Sequence, residues 1–223
     1  MSDVKKLVCM LLTLAMLLSS LVMGTGAAYK DQDQIKHKEA VEKLASLNIM
    51  RGRDRLYFDP HGYITRAEMC RMICISINGG RDPQLNPSYV VVTSFTDTKG
   101  HWAEGYIEYC RNIGMVSGMG DGQFQPDAPI TGVQAAKMIL VAMGYPVDNS
   151  DDFWTLSVNI FATETNLYKQ LENFDPKEPL CRDDAAQLIY NGITASMVAY
   201  KLAPTGQSIF DKFYKGKVPD IKN

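Results

Sequence analysis

Residues 95–145 read FTDTKGHWAEGYIEYCRNIGMVSGMGDGQFQPDAPITGVQAAKMILVAMGY. This stretch predicts a helix, a loop and a second helix, because apolar residues recur at helical spacing on both sides of a glycine-rich turn. Gly114 stands where a left-handed residue can end the first helix, and Phe124 is expected to anchor the loop in the core. Thr131 and Gln134 have the spacing of a capping box, which predicts the start of the second helix.

The same unit occurs three times along the chain. A shift of 66 positions towards the N-terminus aligns a first copy without a gap, pairing Phe58 with Phe124 and Thr65 with Thr131. A weaker third copy follows at a shift of 52 positions, which becomes 50 beyond a shortened loop. This shift pairs Trp102 with Trp154 and then Phe124 with Phe174.

A single unit of this size cannot bury its apolar face alone, so the copies must stack or close into a ring. We therefore expect one compact, mostly α domain over residues 29–200, made of three helix–loop–helix repeats. The repeats span about 33–80, 95–145 and 148–200. Residues 81–89, which include two Pro, an Asn and a Ser, are interpreted as a connector.

The two ends of the chain carry different signals. Residues 1–28 predict a signal peptide, because two lysines precede an apolar run, and Gly26 and Ala28 fit the rule for cleavage after Ala28. Since the run nears the length that spans a bilayer, an uncleaved membrane anchor is the alternative. Either interpretation predicts export of the remainder. For the tail, residues 201–223, the sequence leaves three interpretations: it folds back on the bundle, mediates self-association, or begins a further domain.

The composition excludes some classes of partner. A hydrophobic fraction of 46% and a charged fraction of 22% are typical of a packed globular protein. The formal net charge of −2 argues against nucleic-acid binding, which needs an excess of Lys and Arg. The sequence has no nucleophile elbow, zinc-protease motif or phosphate loop, so we predict a binding protein without enzyme activity or cofactor.

Four cysteines follow the predicted signal peptide: Cys70, Cys74, Cys110 and Cys181. Export permits disulfides, but Cys70 and Cys74 lie one turn apart in an apolar helical pattern. Small buried hydrophobic side chains explain that pattern better than a bridge. Because zinc-site spacing such as Cys-x-x-Cys is absent, the sequence predicts free, buried thiols and no metal site.

The repeats resemble the S-layer homology (SLH) family. The resemblance is carried by Phe95-x-Asp97, Gly100-His101-Trp102-Ala103, Gly118-x-Gly120-Asp121-Gly122-x-Phe124-x-Pro126 and Ile64-Thr65-Arg66-Ala67-Glu68. It implies a pseudo-threefold helical bundle that binds secondary cell-wall polysaccharide without a covalent bond, often through a pyruvylated amino sugar. It also implies a location at the cell wall or cell surface.

The family's Thr-Arg-Ala-Glu motif is complete in the first repeat, at Thr65-Arg66-Ala67-Glu68. The second repeat has Gly132 in place of the Arg, and the third keeps Arg182 but loses the Thr and Glu. The resemblance therefore implies ligand contacts from Arg66 and Arg182, with binding resting mainly on Arg66. Thr65 and Glu68 belong to the same motif, although a capping box explains them better.

Residue chemistry favours the same role. The planar fork of an Arg pairs with a carboxylate such as a pyruvate ketal, and free N–H groups at a helix start favour an anion. Trp102 offers a flat face to a sugar ring, and Asp121 could accept from sugar hydroxyls. Structural alternatives are a surface Arg66 tied to Glu68 or to a neighbouring repeat, an Arg182 neutralised by two neighbouring acids, and a packing role for Trp102.

Two functions are carried forward. The first is non-covalent anchoring to the cell surface by binding pyruvylated secondary cell-wall polysaccharide. The second is an exported structural or interaction protein that keeps the scaffold but has lost glycan binding, with surface proteins or a second copy of itself as partner. Neither function requires a membrane once the signal peptide is cleaved. An exported enzyme is a third class, which would require chemistry that no motif in the sequence indicates.

Overall fold

The computed structural model describes residues 29–84, 93–147 and 153–195. They form three helix–loop–helix repeats. Repeat 1 contains α1 (Lys38–Ser46) and α2 (Arg66–Ile77), repeat 2 contains α3 (Glu104–Asn112) and α4 (Gly132–Ala142), and repeat 3 contains α5 (Trp154–Glu164) and α6 (Arg182–Thr194). These ranges hold no β-strand longer than an isolated bridge, so the predicted mostly α fold is confirmed. The predicted signal peptide and the tail lie outside the described residues.

The second helix of each repeat starts at a side-chain cap. The Thr65 hydroxyl accepts from the N–H of Glu68, and the Glu68 carboxylate accepts from the N–H of Thr65, which is the predicted capping box. Thr131 and Gln134 repeat this arrangement at α4. In repeat 3 the sulfur of Cys181 takes the place of the hydroxyl.

The first helix of each repeat ends at a residue with positive φ. Gly114 adopts φ +79°, as predicted for a helix C-terminus. Its counterparts are Asn48 at +58° and Asn166 at +56°, and Asn is the residue that tolerates this conformation best after Gly. The three repeats therefore share one turn geometry despite their different residues.

Three backbone hydrogen bonds close the repeats into a ring. The N–H of Ile64 donates to the carbonyl of Leu180 (3.0 Å), that of Leu180 to Ile130 (2.8 Å), and that of Ile130 to Ile64 (2.9 Å). Each repeat gives one donor and one acceptor in cyclic order. This arrangement confirms the pseudo-threefold bundle.

Helix packing follows the same cyclic order. Each second helix packs against the first helix of the next repeat, α2 on α3, α4 on α5 and α6 on α1, while α4 also contacts α2 and α6. The core between them is apolar, and the loop residues Phe58 and Phe124 are fully buried in it. The expected anchoring role of Phe124 is confirmed.

The cysteines behave as small core residues. Cys70, Cys74 and Cys110 are buried and free, and Cys181 is free and half-buried. The predicted burial is observed for Cys70, Cys74 and Cys110, which lie where α2 packs against α3.

Candidate functional site

The surfaces at the three boundaries between the described repeats are named grooves 1, 2 and 3, and a cavity open to solvent lies at the third. Each is formed by the loop and second helix of one repeat together with the start of the first helix in the next. The two Arg residues that the sequence favours as ligand contacts lie close to these grooves, at the starts of α2 and α6.

Arg66 is buried beneath the loop of repeat 2. Its Nε donates to the carbonyl of Phe124 (2.8 Å), and its Nη1 lies 3.4 Å from the side-chain oxygen of Gln134. The guanidinium carbon lies 4.4 Å from the centroid of the Phe124 ring, within the range of a cation–π contact. Burial lowers the pKa of Arg66. The aromatic face beside it belongs to the core rather than to a sugar-binding surface.

Arg182 repeats this geometry beneath the loop of repeat 1. Its Nε donates to the carbonyl of Phe58 (2.9 Å), its Nη2 donates to that of Arg51 (2.6 Å), and its guanidinium lies over the Phe58 ring. Burial lowers the pKa of Arg182, and the positive charge of Arg53 lowers it further. Both Arg side chains therefore hold the loop of the next repeat in the ring.

The backbone at these helix starts is also occupied. The N–H groups of Arg66 and Ala67 donate to the carbonyls of Ala128 and Pro126 in the loop of repeat 2. The expectation of free N–H groups that attract an anion beside Arg66 is wrong, because closure of the ring satisfies them within the protein.

The two acids that follow Arg182 do not serve as its counter-ions. The Asp183 carboxylate accepts from the backbone N–H groups of Lys36 (2.9 Å) and His37 (3.2 Å), and Asp184 lies 3.3 Å from Nε2 of His37. The interpretation that these acids neutralise Arg182 is wrong. They join repeat 3 to the start of α1 instead.

Repeat 2 has no room for an Arg at the corresponding position. A Cβ placed on Gly132 would lie 2.3 Å from the tip of the Phe174 ring. The phenyl group of Phe174, in repeat 3, thus fills the space that Arg66 and Arg182 occupy at the other two boundaries.

Groove 1, between repeats 1 and 2, presents the exposed Arg53, the partly exposed Arg71 and the exposed indole of Trp102. Arg53 in the loop of repeat 1 pairs with Glu68 (3.2 Å) and Asp59 (3.3 Å). Arg71 lies one turn beyond Glu68 on α2, so the two side chains share a face. The side chains of Arg53 and Arg71 are 41% and 39% exposed.

A hydrogen-bonded chain continues groove 1 to the start of α3. Asp82 accepts from both Arg71 and the hydroxyl of Tyr106, and the Tyr106 ring lies 6.4 Å from that of Trp102. Burial raises the pKa of Tyr106 to about 12, together with its hydrogen bond to Asp82. Burial alone would raise the pKa of Asp82, but the bonds from Tyr106, the backbone and Arg71 lower it below its usual value. Trp102 is 48% exposed at the end of this chain.

Groove 2, between repeats 2 and 3, is less polar. Met119 stands at the position aligned with Arg53, and Lys137 at that aligned with Arg71. Lys137 is buried, with its ammonium 5.3 Å from the centroid of the half-buried Trp154 ring. Groove 2 therefore offers no exposed guanidinium among these aligned positions.

Groove 3, between repeats 3 and 1, is a cavity of about 480 Å³ with mixed charge. It is lined by Lys36, His37, Lys38, Glu39, Gln170, Glu172, Asn173, Asp184 and Gln187. Lys36 takes the place of Trp102 here, and the aligned cation is replaced by Gln187. The groove has neither an indole nor an Arg.

The remaining sequence-selected residues lie apart from groove 1 or act in capping. Asp121 is exposed in the turn of repeat 2, where its carboxylate accepts from the N–H of Gln123 (3.0 Å). Thr65 caps α2, and Glu68 both completes that cap and pairs with Arg53. Sequence reasoning missed Arg53 and Arg71, although the shift of 66 positions aligns Arg71 with Lys137 and so indicated a recurring cation.

Residues 29–84, 93–147 and 153–195 contain neither a metal-binding cluster nor a helix that could span a membrane. No group of three or more His, Cys, Asp or Glu side chains there could hold a metal ion. None of the helices in that part of the chain has the length and apolar character needed to cross a membrane.

The class of protein that the fold defines is a helical repeat domain, in which three helix–loop–helix repeats close into a ring. Residues 28–70 and 94–136 match the S-layer homology domain. The first two repeats thus match the model of this family, as the sequence motifs indicate. The third is a divergent copy that keeps the helix–loop–helix structure and its place in the ring.

Similar proteins from several bacteria are named as cell surface, S-layer or cell wall proteins. The chain is 26% identical over 204 residues to a cell surface protein of Thermoanaerobacter kivui, covering 90% of this chain and 26% of that protein. It is 26% identical over 196 residues to the S-layer protein sap of Bacillus anthracis (79% and 23% covered). It is 25% identical over 208 residues to the middle cell wall protein of Brevibacillus brevis (89% and 19% covered).

These relatives confirm the predicted location at the cell wall or cell surface and support a role in surface anchoring. The chain spans about a quarter or less of the length of these three proteins.

Proposed function

We propose that this protein anchors to the cell surface by binding an anionic cell-wall polysaccharide, with a pyruvylated sugar as the recognised unit. The observation that carries the proposal is groove 1. There Arg53 pairs with Glu68, which shares a face of α2 with Arg71. Arg71 in turn is linked through Asp82 and Tyr106 to the exposed indole of Trp102. A pyruvate ketal is a carboxylate, which an Arg pairs with through two parallel hydrogen bonds. The indole of Trp102 offers the adjacent sugar ring an apolar face.

In this proposal the residues divide into two roles. Arg53 and Arg71 contact the anion, exchanging their present carboxylate partners in part for the ligand. Arg66 and Arg182 act beneath the loops as positioning residues, because their guanidinium groups already donate to loop carbonyls. Glu68 orients Arg53, Thr65 fixes the start of α2, and Asp121 is a candidate for a hydroxyl contact from the neighbouring loop.

Sedimentation with purified wall polysaccharide tests the proposal. Arg53→Gln removes a cation that pairs with the ligand, and Trp102→Ala removes the face that stacks on the sugar ring. Each variant is therefore expected to weaken glycan binding by about tenfold or more. Arg111→Gln is the matched control, because Arg111 is exposed at the far end of α3. Removal of the pyruvate ketal should abolish wild-type binding. Undiminished binding by both variants would refute the site, and undiminished binding to the ketal-free glycan would refute the recognised group.

A protein-interaction role is the second candidate. It is favoured by the apolar side chains of Phe153, Leu156 and Ile160, which are exposed on and just before α5. It is also favoured by the burial of Arg66 and Arg182. It predicts a folded helical chain without glycan affinity that associates with a surface protein or with itself. Sedimentation velocity of the wild-type chain, with and without glycan, separates the two candidates.

A further inference from the structure

Three buried thiols meet where repeat 1 packs against repeat 2. Cys70 and Cys74 lie one turn apart on α2, and Cys110 faces them from α3. The sulfur of Cys110 lies 3.8 Å from that of Cys74 and 3.8 Å from the carbonyl oxygen of Cys70. The three side chains are at most 1% exposed. Ordinary packing of small residues does not require three cysteines at one contact, and the anchoring function does not use them.

We propose that Cys74 and Cys110 are a latent disulfide site that joins repeats 1 and 2 covalently. A disulfide bond is about 2.05 Å long, so the two sulfurs must approach by roughly 1.8 Å. Side-chain rotation together with a small shift of α3 against α2 can supply that distance.

The choice of partner follows from the geometry. Cys70 and Cys74 belong to the same helix, where side chains four positions apart project in parallel and do not meet sulfur to sulfur without distorting the helix. Cys110 is the thiol on the opposing helix. Its sulfur lies 3.8 Å from that of Cys74, whereas its 3.8 Å contact with Cys70 is to the carbonyl oxygen, beside a further interaction with the Cys70 thiol. The bridge between Cys74 and Cys110 is therefore the one that the docked helices favour.

The bond forms by thiol–disulfide exchange with a small-molecule disulfide such as oxidised glutathione. Each cysteine loses its proton, the two sulfurs form one bond, and the two electrons reduce the small disulfide to two thiols. The hydrogen bonds with its neighbouring thiols, followed by burial, raise the pKa of Cys110 well above its usual value. The folded, reduced chain should therefore react slowly, and the bond should form while α2 and α3 dock.

Peptide mapping can identify the bond directly. The full chain is refolded with a mixture of oxidised and reduced glutathione, its remaining thiols are alkylated, and it is digested with trypsin without reduction. Trypsin cleaves after Arg71, so Cys70 falls in peptide 67–71 and Cys74 in peptide 72–81, while Cys110 falls in peptide 100–111. The expected product is peptide 72–81 linked to peptide 100–111, and it should disappear on treatment with dithiothreitol.

Thermal melting supplies the second measurement. The bridge spans 36 positions, and a loop of this length should raise the Tm of the oxidised wild-type chain on the order of 10 °C above that of the reduced chain. Cys70→Ser should keep the linked peptide pair and the shift in Tm, whereas Cys74→Ser should lose both. The comparison of oxidised and reduced wild type needs no substitution, so it stands even if a variant fails to fold.

Two results overturn the proposal. One is full alkylation of Cys74 and Cys110 in wild-type chain that has refolded under oxidising conditions. The other is a link from Cys110 to peptide 67–71 in place of peptide 72–81.

Discussion

Replacing Asp183 tests whether ring closure stabilises the fold. Its carboxylate is 3% exposed and accepts from the N–H groups of Lys36 and His37, which lie 147 and 146 positions away in the chain. These two bonds tie α6 to the entry of α1 and so join the last repeat to the first. Asp183→Ala removes both acceptors at once.

The magnitude follows from those two bonds. A hydrogen bond to a charged group contributes about 1.5–3 kcal/mol. Lys36 is exposed and its N–H can regain water, whereas His37 is half-buried. We therefore expect Asp183→Ala to lower the free energy of unfolding by about 2–4 kcal/mol, below the sum of two full contributions. Asp183→Asn keeps one acceptor oxygen and should lose about half as much.

Urea unfolding followed by far-UV circular dichroism measures this loss. Asp127→Ala is the matched control, since the Asp127 side chain is 80% exposed and pairs with His101 at the surface; it should change the free energy of unfolding by less than about 0.5 kcal/mol. A loss below about 1 kcal/mol for Asp183→Ala at an unchanged m-value would contradict the reasoning. It would mean that water replaces the carboxylate at the entry of α1 without cost.

Three further changes test other parts of the ring. Gly132→Ala should destabilise the fold by about 1–3 kcal/mol because the added Cβ meets the Phe174 side chain. In a double-mutant cycle with Phe174→Leu, most of that loss of stability should disappear. Additive losses in the cycle would contradict a clash between the two residues. Thr131→Ala should lower the free energy of unfolding by about 1 kcal/mol through loss of the α4 cap, whereas Thr131→Ser keeps the capping hydroxyl and should retain most of that stability. Equal stabilities of the two variants would show that the cap does not stabilise the fold. Burial alone would raise the pKa of Asp97, but hydrogen bonds from two backbone N–H groups lower it. The stabilisation of the fold by ionised Asp97 should thus be present above pH about 4 and be lost as the pH falls through the folded pKa. The difference in free energy of unfolding between wild type and Asp97→Asn should therefore narrow from pH 7 to pH 2. A constant difference would contradict a stabilising role for the Asp97 carboxylate.

The helices and their ends were accessible from the sequence because the signals are local. The capping boxes at Thr65 and Thr131 lie within four residues, and the turn at Gly114 depends on one residue's φ. The repeat pattern also indicated that the copies must combine to bury their apolar faces. These features give the mostly α class, the three-repeat organisation and the resemblance to the family without reference to any long-range contact.

The orientation of the site residues depended on contacts that local patterns do not encode. Arg66 and Arg182 carry the family motif, yet each donates to a loop carbonyl 58 or 124 positions away and is covered by that loop. Arg53 belongs to no motif, yet its side chain is 41% exposed where it pairs with Glu68 of α2.

The sequence by itself therefore determined the repeated unit, the capped starts of α2 and α4 and the end of α3, because helical spacing and capping act within a few residues. Only the tertiary structure decided which Arg side chains are covered and which face solvent. That choice follows from ring closure, which places the loop of each repeat over the helix start of the preceding one. The functional prediction accordingly moves from the motif Arg66 to the exposed residues of groove 1.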